Sequence, residues 1–191
     1  NSRNMKARAL YAMLLRKLGK DGKAVEFLKE NLETDPFDYV SRFEFSFQDP
    51  SQKDLFLKLA GEKQSVYIEA ASDYAEAGFY KEAVQILRLS PVKGPLIKYY
   101  EAYYSDKLGN RSAVSEALAA ASSASSAYCF PNRLEDIAVL RFAISSSAAD
   151  SKAPYYLGNL FYDRKQYGQA LEMWQRSVKL DSSFPTVWRN L

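Results

Sequence analysis

The residues able to do chemistry in this chain are few and of particular kinds. None of its 191 residues is a histidine. A histidine general base, a histidine-ligated metal and a serine triad are therefore excluded from this stretch. Cys129 is the single cysteine, and with no CxxC around it, it reads as a buried, inert thiol that cannot form an internal disulfide. Glu135 and Asp136 are adjacent on a helix and so point in different directions, which is poor geometry for paired acid/base work. No glycine-rich loop is present to cradle a phosphate. What remains is the chemistry of stacking and hydrogen bonding, carried by fourteen tyrosines and by two polar pairs, Asn132-Arg133 and Arg189-Asn190. Each pair follows a Phe-Pro that reads as a helix start. Each fits either a hydrogen-bonding clamp or simple helix capping with local salt bridges to Glu135 or Asp136.

The elements that must hold these residues are all helical in pattern. Apolar positions recur at helical spacing through Ala9, Leu10, Met13, Leu14 and Leu18, ending at Gly19, and again through Ala24, Val25, Phe27, Leu28 and Leu32, with Asp21 as a possible cap. Phe43, Phe45 and Phe47 alternate as a strand would, but no second strand-like run exists to pair with them, so the stretch is read as a short helix. Helices follow from Ser51 to Ala60, Glu62 to Ala77 and Tyr80 to Leu89, then from Leu96 to Leu108 and from Ser112 onward. Ala117 to Ala127 is nearly all Ala and Ser and is read as a thin, closely packed helix rather than a linker. Phe130-Pro131 is expected to open the next helix, through Leu134, Ile137, Leu140 and Ile144. The count is about a dozen helices, stacked pairwise, with no sheet.

Composition sets the class. Hydrophobic residues make up 47% and charged residues 26%, as in a soluble globular protein with a real core. Lys and Arg number 26 against 23 Asp and Glu, a net charge of +3. That is too weak to argue for nucleic acid or an anionic membrane as partner. No secretion signal or long apolar run is visible, which favours the cytoplasm. The stretch begins Asn1-Ser2 without Met and stops inside what reads as the start of another helix pair, so it is expected to be cut from something longer.

Ala153 to Leu191 is the most informative stretch. Leu157-Gly158, Phe161, Ala170, Trp174 and Ser177 alternate large and small along two helical faces that meet at a polar turn around Arg164 to Gln166. The small Gly158 and Ala170 belong where two backbones cross, with Phe161 and Trp174 filling the gap beside them. Trp188 and Leu191 then arrive 34 residues after Pro154 and Leu157. This pattern resembles the tetratricopeptide repeat, a helix-turn-helix unit of that period. Pro154 and Ser177 depart from its usual first aromatic and its usual Ala. Gly78-Phe79-Tyr80-Lys81-Glu82-Ala83 resembles the repeat's turn and second-helix opening. The resemblance implies an all-α, right-handed superhelix of repeats over roughly 5–36, 37–61 (degenerate), 62–91, 94–127, 129–150 (partial), 151–184 and 185–191 (truncated), in one array. More narrowly, C-F-P-N-R-L-E at 129–135, A-P-Y-Y-L-G-N-L at 153–160 and F-P-T-V-W-R-N-L at 184–191 resemble the helical-repeat region of large bacterial proteins that also carry a domain similar to galactose mutarotases. That likeness implies a bacterial source and a bigger parent.

The repeat resemblance further implies that the first helix of each pair lines a concave face. Counted from Leu157, its exposed positions are Tyr155, Asn159, Tyr162 and Asp163; the same count through Ala102 brings in Tyr99, Tyr103, Asp106 and Lys107. Arg133 and Arg189 complete the expected ligand-binding set. Tyrosine faces with amide and guanidinium donors would suit a peptide backbone or a sugar. The competing reading makes the tyrosines packing residues between helices. The favoured function is a scaffold that binds a protein, a peptide or a neighbouring domain of its own chain, without enzymatic activity, metal or cofactor. The alternative is a helical accessory region of a carbohydrate-active enzyme that helps shape a sugar site.

Overall fold

The computed structural model describes residues 4–191. Among them every regular element is a helix: α1 (Met5–Lys17), α2 (Asp21–Thr34), α3 (Tyr39–Phe45), α4 (Ser51–Ala60), α5 (Gln64–Glu76), α6 (Tyr80–Leu89), α7 (Pro95–Lys107), α8 (Arg111–Ser123), α9 (Leu134–Ser146), α10 (Lys152–Asp163), α11 (Tyr167–Leu180) and α12 (Pro185–Trp188). They form two compact units, Asn1–Pro91 and Val92–Leu191. Between them the chain passes from Pro91 to Pro95, the first residue of α7.

Four pairs share one design: α1 with α2, α5 with α6, α7 with α8, and α10 with α11. In each, the first helix ends on a residue with positive φ: Gly19, Gly78, Gly109 and Lys165. The next residue donates its N–H back five residues, Lys20 to Leu15 and Phe79 to Tyr74 at 2.9 Å, Asn110 to Ser105 at 3.0 Å and Gln166 to Phe161 at 2.8 Å. This is the Schellman closure, which satisfies the carbonyls orphaned at a helix end and turns the chain back on itself. Seven residues before each turn residue sits a small side chain, Ala12, Ala71, Ala102 or Gly158, and each is buried. Five residues after three of the turns comes a fully buried alanine, Ala24, Ala83 or Ala170; Val114 holds the fourth position, half-buried. Small residues at both places let the paired backbones approach. Leu28, Leu87, Leu118 and Trp174, nine residues after the turns, are buried beside them.

Helix starts follow local rules, with some departures from the sequence reading. The side chains of Asn4, Asp38 and Asn110 cap α1, α3 and α8 by accepting from Ala7, Ser41 and Ala113. Pro95 and Pro185 occupy the first turn of α7 and α12, where a missing N–H costs nothing. Asp21 is the first residue of α2, not its cap, which is Lys20. Pro131 does not open α9, which starts three residues later at Leu134; there the Asp136 carboxylate accepts from the N–H groups of Asn132 (2.8 Å) and Arg133 (2.9 Å). The Ala/Ser helix stops at Ser123, short of the expected Ala127, as serine-rich segments favour side-chain bonds to their own backbone. One such bond runs from the Ala127 N–H to Ser125 Oγ at 3.2 Å.

Candidate functional site

The tyrosines expected on a ligand face divide sharply. Tyr99 is fully buried, and its hydroxyl donates to Asp150 Oδ2 at 2.7 Å. Its neighbour Tyr100 does the same to Asp136 Oδ1 at 2.6 Å. Both carboxylates also hold helix starts: Asp150 Oδ1 accepts from the N–H groups of Lys152 and Ala153, as Asp136 does at α9. Two adjacent residues of α7 thus pin the N-terminal ends of α10 and α9. Burial, reinforced by the facing carboxylate, pushes both phenols far above the ordinary tyrosine range. Tyr155 is also buried, with its ring against Phe184 at 4.9 Å and against Tyr156. The expectation that Tyr99 and Tyr155 face a ligand is therefore corrected: both are packing residues.

The other expected residues do not converge. Tyr103 is half-buried, edge-on to Phe142 of α9, with the Lys107 ammonium over its ring. Arg133 lies half-buried at the start of α9, its Nε 3.6 Å from Glu135, so the local salt-bridge reading describes it. Asn159, Tyr162 and Trp174 do come together. Asn159 Oδ1 accepts from Trp174 Nε1 at 3.0 Å and from Asn190 Nδ2 at 2.9 Å, which occupies both lone pairs of that oxygen. Tyr162 lies against Trp174 and Tyr167 and stays 56% exposed. Arg189, next to Asn190, is exposed. Trp188 is exposed as well, and Phe184 and Val187 are the buried residues there. Burial pushes the Cys129 thiol up to about 12, in keeping with an inert side chain.

A further concave feature lies within the first unit. The short α3 packs against both α1 and α5. Its seven residues span about 10 Å, against about 20 Å for a 13-residue neighbour, and α1 and α5 face each other across a gap beside it. The gap is a groove of about 470 Å³, within the range of ligand pockets. Met5, Ala9, Leu10 and Met13 line it from α1, Val66 and Ala70 from α5, and Phe37 and Val40 from the segment before and in α3. Leu10 is 40% and Phe37 59% exposed. Among the described residues its ionisable lining consists of Asp35, Asp38, Glu69, Asp73, Glu76 and Lys6, besides the phenol of Tyr39. The Lys6 ammonium lies 2.6 Å from Asp73 and 3.1 Å from Glu76, and its pKa is raised, chiefly by the hydrogen bond to Asp73.

A buried ionic cluster fixes the helices that carry the groove. Glu44 of α3 is fully buried and takes a two-pronged contact from Arg16 of α1, at 2.5 and 3.2 Å, and a 2.6 Å bond from the Tyr74 hydroxyl of α5. Arg16 also reaches Glu82 of α6 at 3.3 Å, Lys17 pairs with Glu82, and the Arg16 guanidinium lies 4.0 Å from the Phe47 ring centre. One carboxylate thus ties three helices together, with its lone pairs satisfied as burial demands. Neither groove nor cluster was singled out from the sequence, although Glu69, Asp73 and Glu76, at i, i+4 and i+7 of one helix, mark a single acidic face.

No family model matches the chain, and no curated protein does. Among solved structures, a crystal structure of MamA is 14% identical, matching 93% of this chain and 78% of its own with a TM-score of 0.31. YrrB, described as "a TPR protein with an unusual peptide-binding site", is 13% identical over 96% of this chain and 89% of its own, with a TM-score of 0.29. MamA 41-end from Desulfovibrio magneticus RS-1 is 15% identical over 95% and 97%, again at 0.29. At such scores these likenesses carry no weight for fold or function. The all-α repeat architecture rests on the four hairpins themselves, whose turn closure recurs in all four and whose pair of small crossing residues recurs in three.

Proposed function

We propose that this chain is a polypeptide-binding scaffold module, and that the groove between α1 and α5 is its binding seat. The observation that carries the reading is the combination of a groove of about 470 Å³ with exposed apolar side chains, Leu10 and Phe37, on helices locked by the Glu44 cluster. A rigid, concave, partly apolar surface binds a segment of chain without having to reorganise. Its occupant is a peptide, a partner protein or another domain of the same polypeptide. In the second unit Tyr162 and Arg189 are the accessible members of the expected set and serve as a secondary contact surface. The carbohydrate reading gains no support, since Tyr155 lies under Phe184 and Asn159 spends its acceptor oxygen on Trp174 and Asn190. As for membranes, no helix among the described residues is long and apolar enough to cross one.

The test is selection from a random peptide library on the immobilised chain, followed by affinity measurement with Leu10→Asp and Tyr162→Ala. Selected peptides should lose binding to Leu10→Asp and lose little to Tyr162→Ala. Peptides indifferent to Leu10→Asp would remove the groove from the reading.

A further inference from the structure

The sign of the groove's charge runs against that of the chain. The whole chain carries +3, whereas among the described residues the charged lining of the groove is five acids and one lysine. Three of the acids, Glu69, Asp73 and Glu76, lie on one face of α5, spread over about 10 Å at 1.5 Å per residue. The apolar wall of Leu10 and Phe37 belongs to the same groove. Lys6, whose side chain is 62% exposed, bridges Asp73 and Glu76. An exposed lysine pair of this kind is weak, because water screens it and holding the long side chain in place costs entropy.

We infer that the groove is built for a cationic segment of polypeptide, with Lys or Arg side chains set beside apolar ones, and that Lys6 occupies the position one of those cations takes over. The inference rests on the polypeptide-binding reading and adds the chemistry of the ligand. An incoming Lys or Arg displaces the Lys6 ammonium from Asp73 and Glu76 at small cost, while its apolar neighbours cover Leu10 and Phe37. Complementary charge then selects the partner and speeds encounter, and the apolar contact supplies the burial. A peptide with carboxylates at those places meets like charge and is rejected.

Fluorescence anisotropy on the full chain tests this with labelled ten-residue peptides of alternating Lys and Leu, Ser and Leu, or Glu and Leu, and with spermidine as competitor. The Lys-Leu peptide should bind most tightly and the Glu-Leu peptide least, and added salt should weaken only the Lys-Leu peptide. The pair Asp73→Asn and Glu76→Gln should weaken the Lys-Leu peptide about fivefold, the scale of exposed ion pairs, and Lys6→Ala should tighten it. Unchanged circular dichroism and melting of these surface variants show that folding is not the cause. Equal binding of all three peptides, lost in Leu10→Asp but indifferent to the α5 variants, would overturn the charge assignment and leave the peptide-binding groove standing. Failure of every peptide to bind would overturn both. Spermidine displacing the Lys-Leu peptide at equal concentration would make this a small-cation site and overturn the polypeptide occupant.

Discussion

The backbone of Gly158 lies directly under the indole of Trp174: a β-carbon built on Gly158 would fall 2.5 Å from Trp174 Cδ1 and Nε1 and 3.2 Å from the carbonyl oxygen of Ala170. A side chain at 158 would obstruct the contact between α10 and α11, and Trp174 is held in place by its bond to Asn159. Gly158→Ala should therefore destabilise the second unit by about 1–3 kcal/mol, the cost of overpacking. Gly168→Ala on α11, where a β-carbon meets nothing within 4 Å, should be neutral or stabilising by up to about 1 kcal/mol from helix propensity. Urea denaturation of both variants checks the contrast, and equal stabilities would contradict the packing described.

Lys165 does at its turn what glycine does at the other three, adopting a φ of +59°. A side chain in the left-handed region costs roughly 1–2 kcal/mol. Lys165→Gly should recover part of that, less the extra freedom glycine has in the unfolded chain, and thermal melting should shift upward. A lower melting temperature would mean that the lysine side chain makes a contact worth more than its strain.

The ionic cluster of the first unit makes stability depend on pH through Glu82. Burial opposes its charge, but Lys17, a backbone bond and Arg16 more than compensate, so its carboxyl lies below its ordinary value of 4.5. A depressed carboxyl stabilises the fold above its unfolded pKa, and that stability is lost as pH falls through the folded value. The stability gap between the parent chain and Glu82→Gln should be constant near neutrality and shrink below about pH 4.5. A gap that persists to pH 2 would show that Glu82 acts through shape and not through charge.

Tyr99 and Tyr100 hold two different helix starts, so each should matter separately. Tyr99→Phe and Tyr100→Phe each leave a buried carboxylate short of one bond and should cost about 1.5–3 kcal/mol. Both phenols have pKa values raised on folding. Their contribution is complete below the unfolded value of about 10 and is lost as pH rises beyond it, with the folded unit resisting ionisation until it unfolds. Alkaline titration followed by tyrosinate absorbance should show a late step that includes Tyr99 and Tyr100 together with the other buried phenols, Tyr67, Tyr74 and Tyr156, and coincides with loss of helix. Ionisation of all tyrosines before unfolding would contradict the buried pairs.

Much of the fold was legible because its signals are local. A glycine before a helical stripe marks a Schellman turn whatever packs around it. Small residues seven before and five after that turn mark a close helix crossing, so Gly19 with Ala24 and Gly78 with Ala83 could be matched from the chain alone. The same local reasoning overreached where only spacing supported it, as at Pro131, where a carboxylate three residues into the helix, rather than the proline, sets the start.

The ligand face was not legible, because exposure belongs to whatever packs above a residue. Helical spacing places Tyr99 and Tyr103 on the same face of α7, yet Tyr99 is sealed in by Asp150, 51 residues away, while Tyr103 stays half open. The groove is a still longer-range product: it exists because α3 has seven residues where its neighbours have 13, and because Glu44 draws α1 and α5 to it. Helices, their turns and their crossings could be read along the chain, each being a matter of a few neighbouring residues. Which carboxylates are buried and which line a groove is set by the folded arrangement, since that depends on the register between helices joined by nothing but their packing.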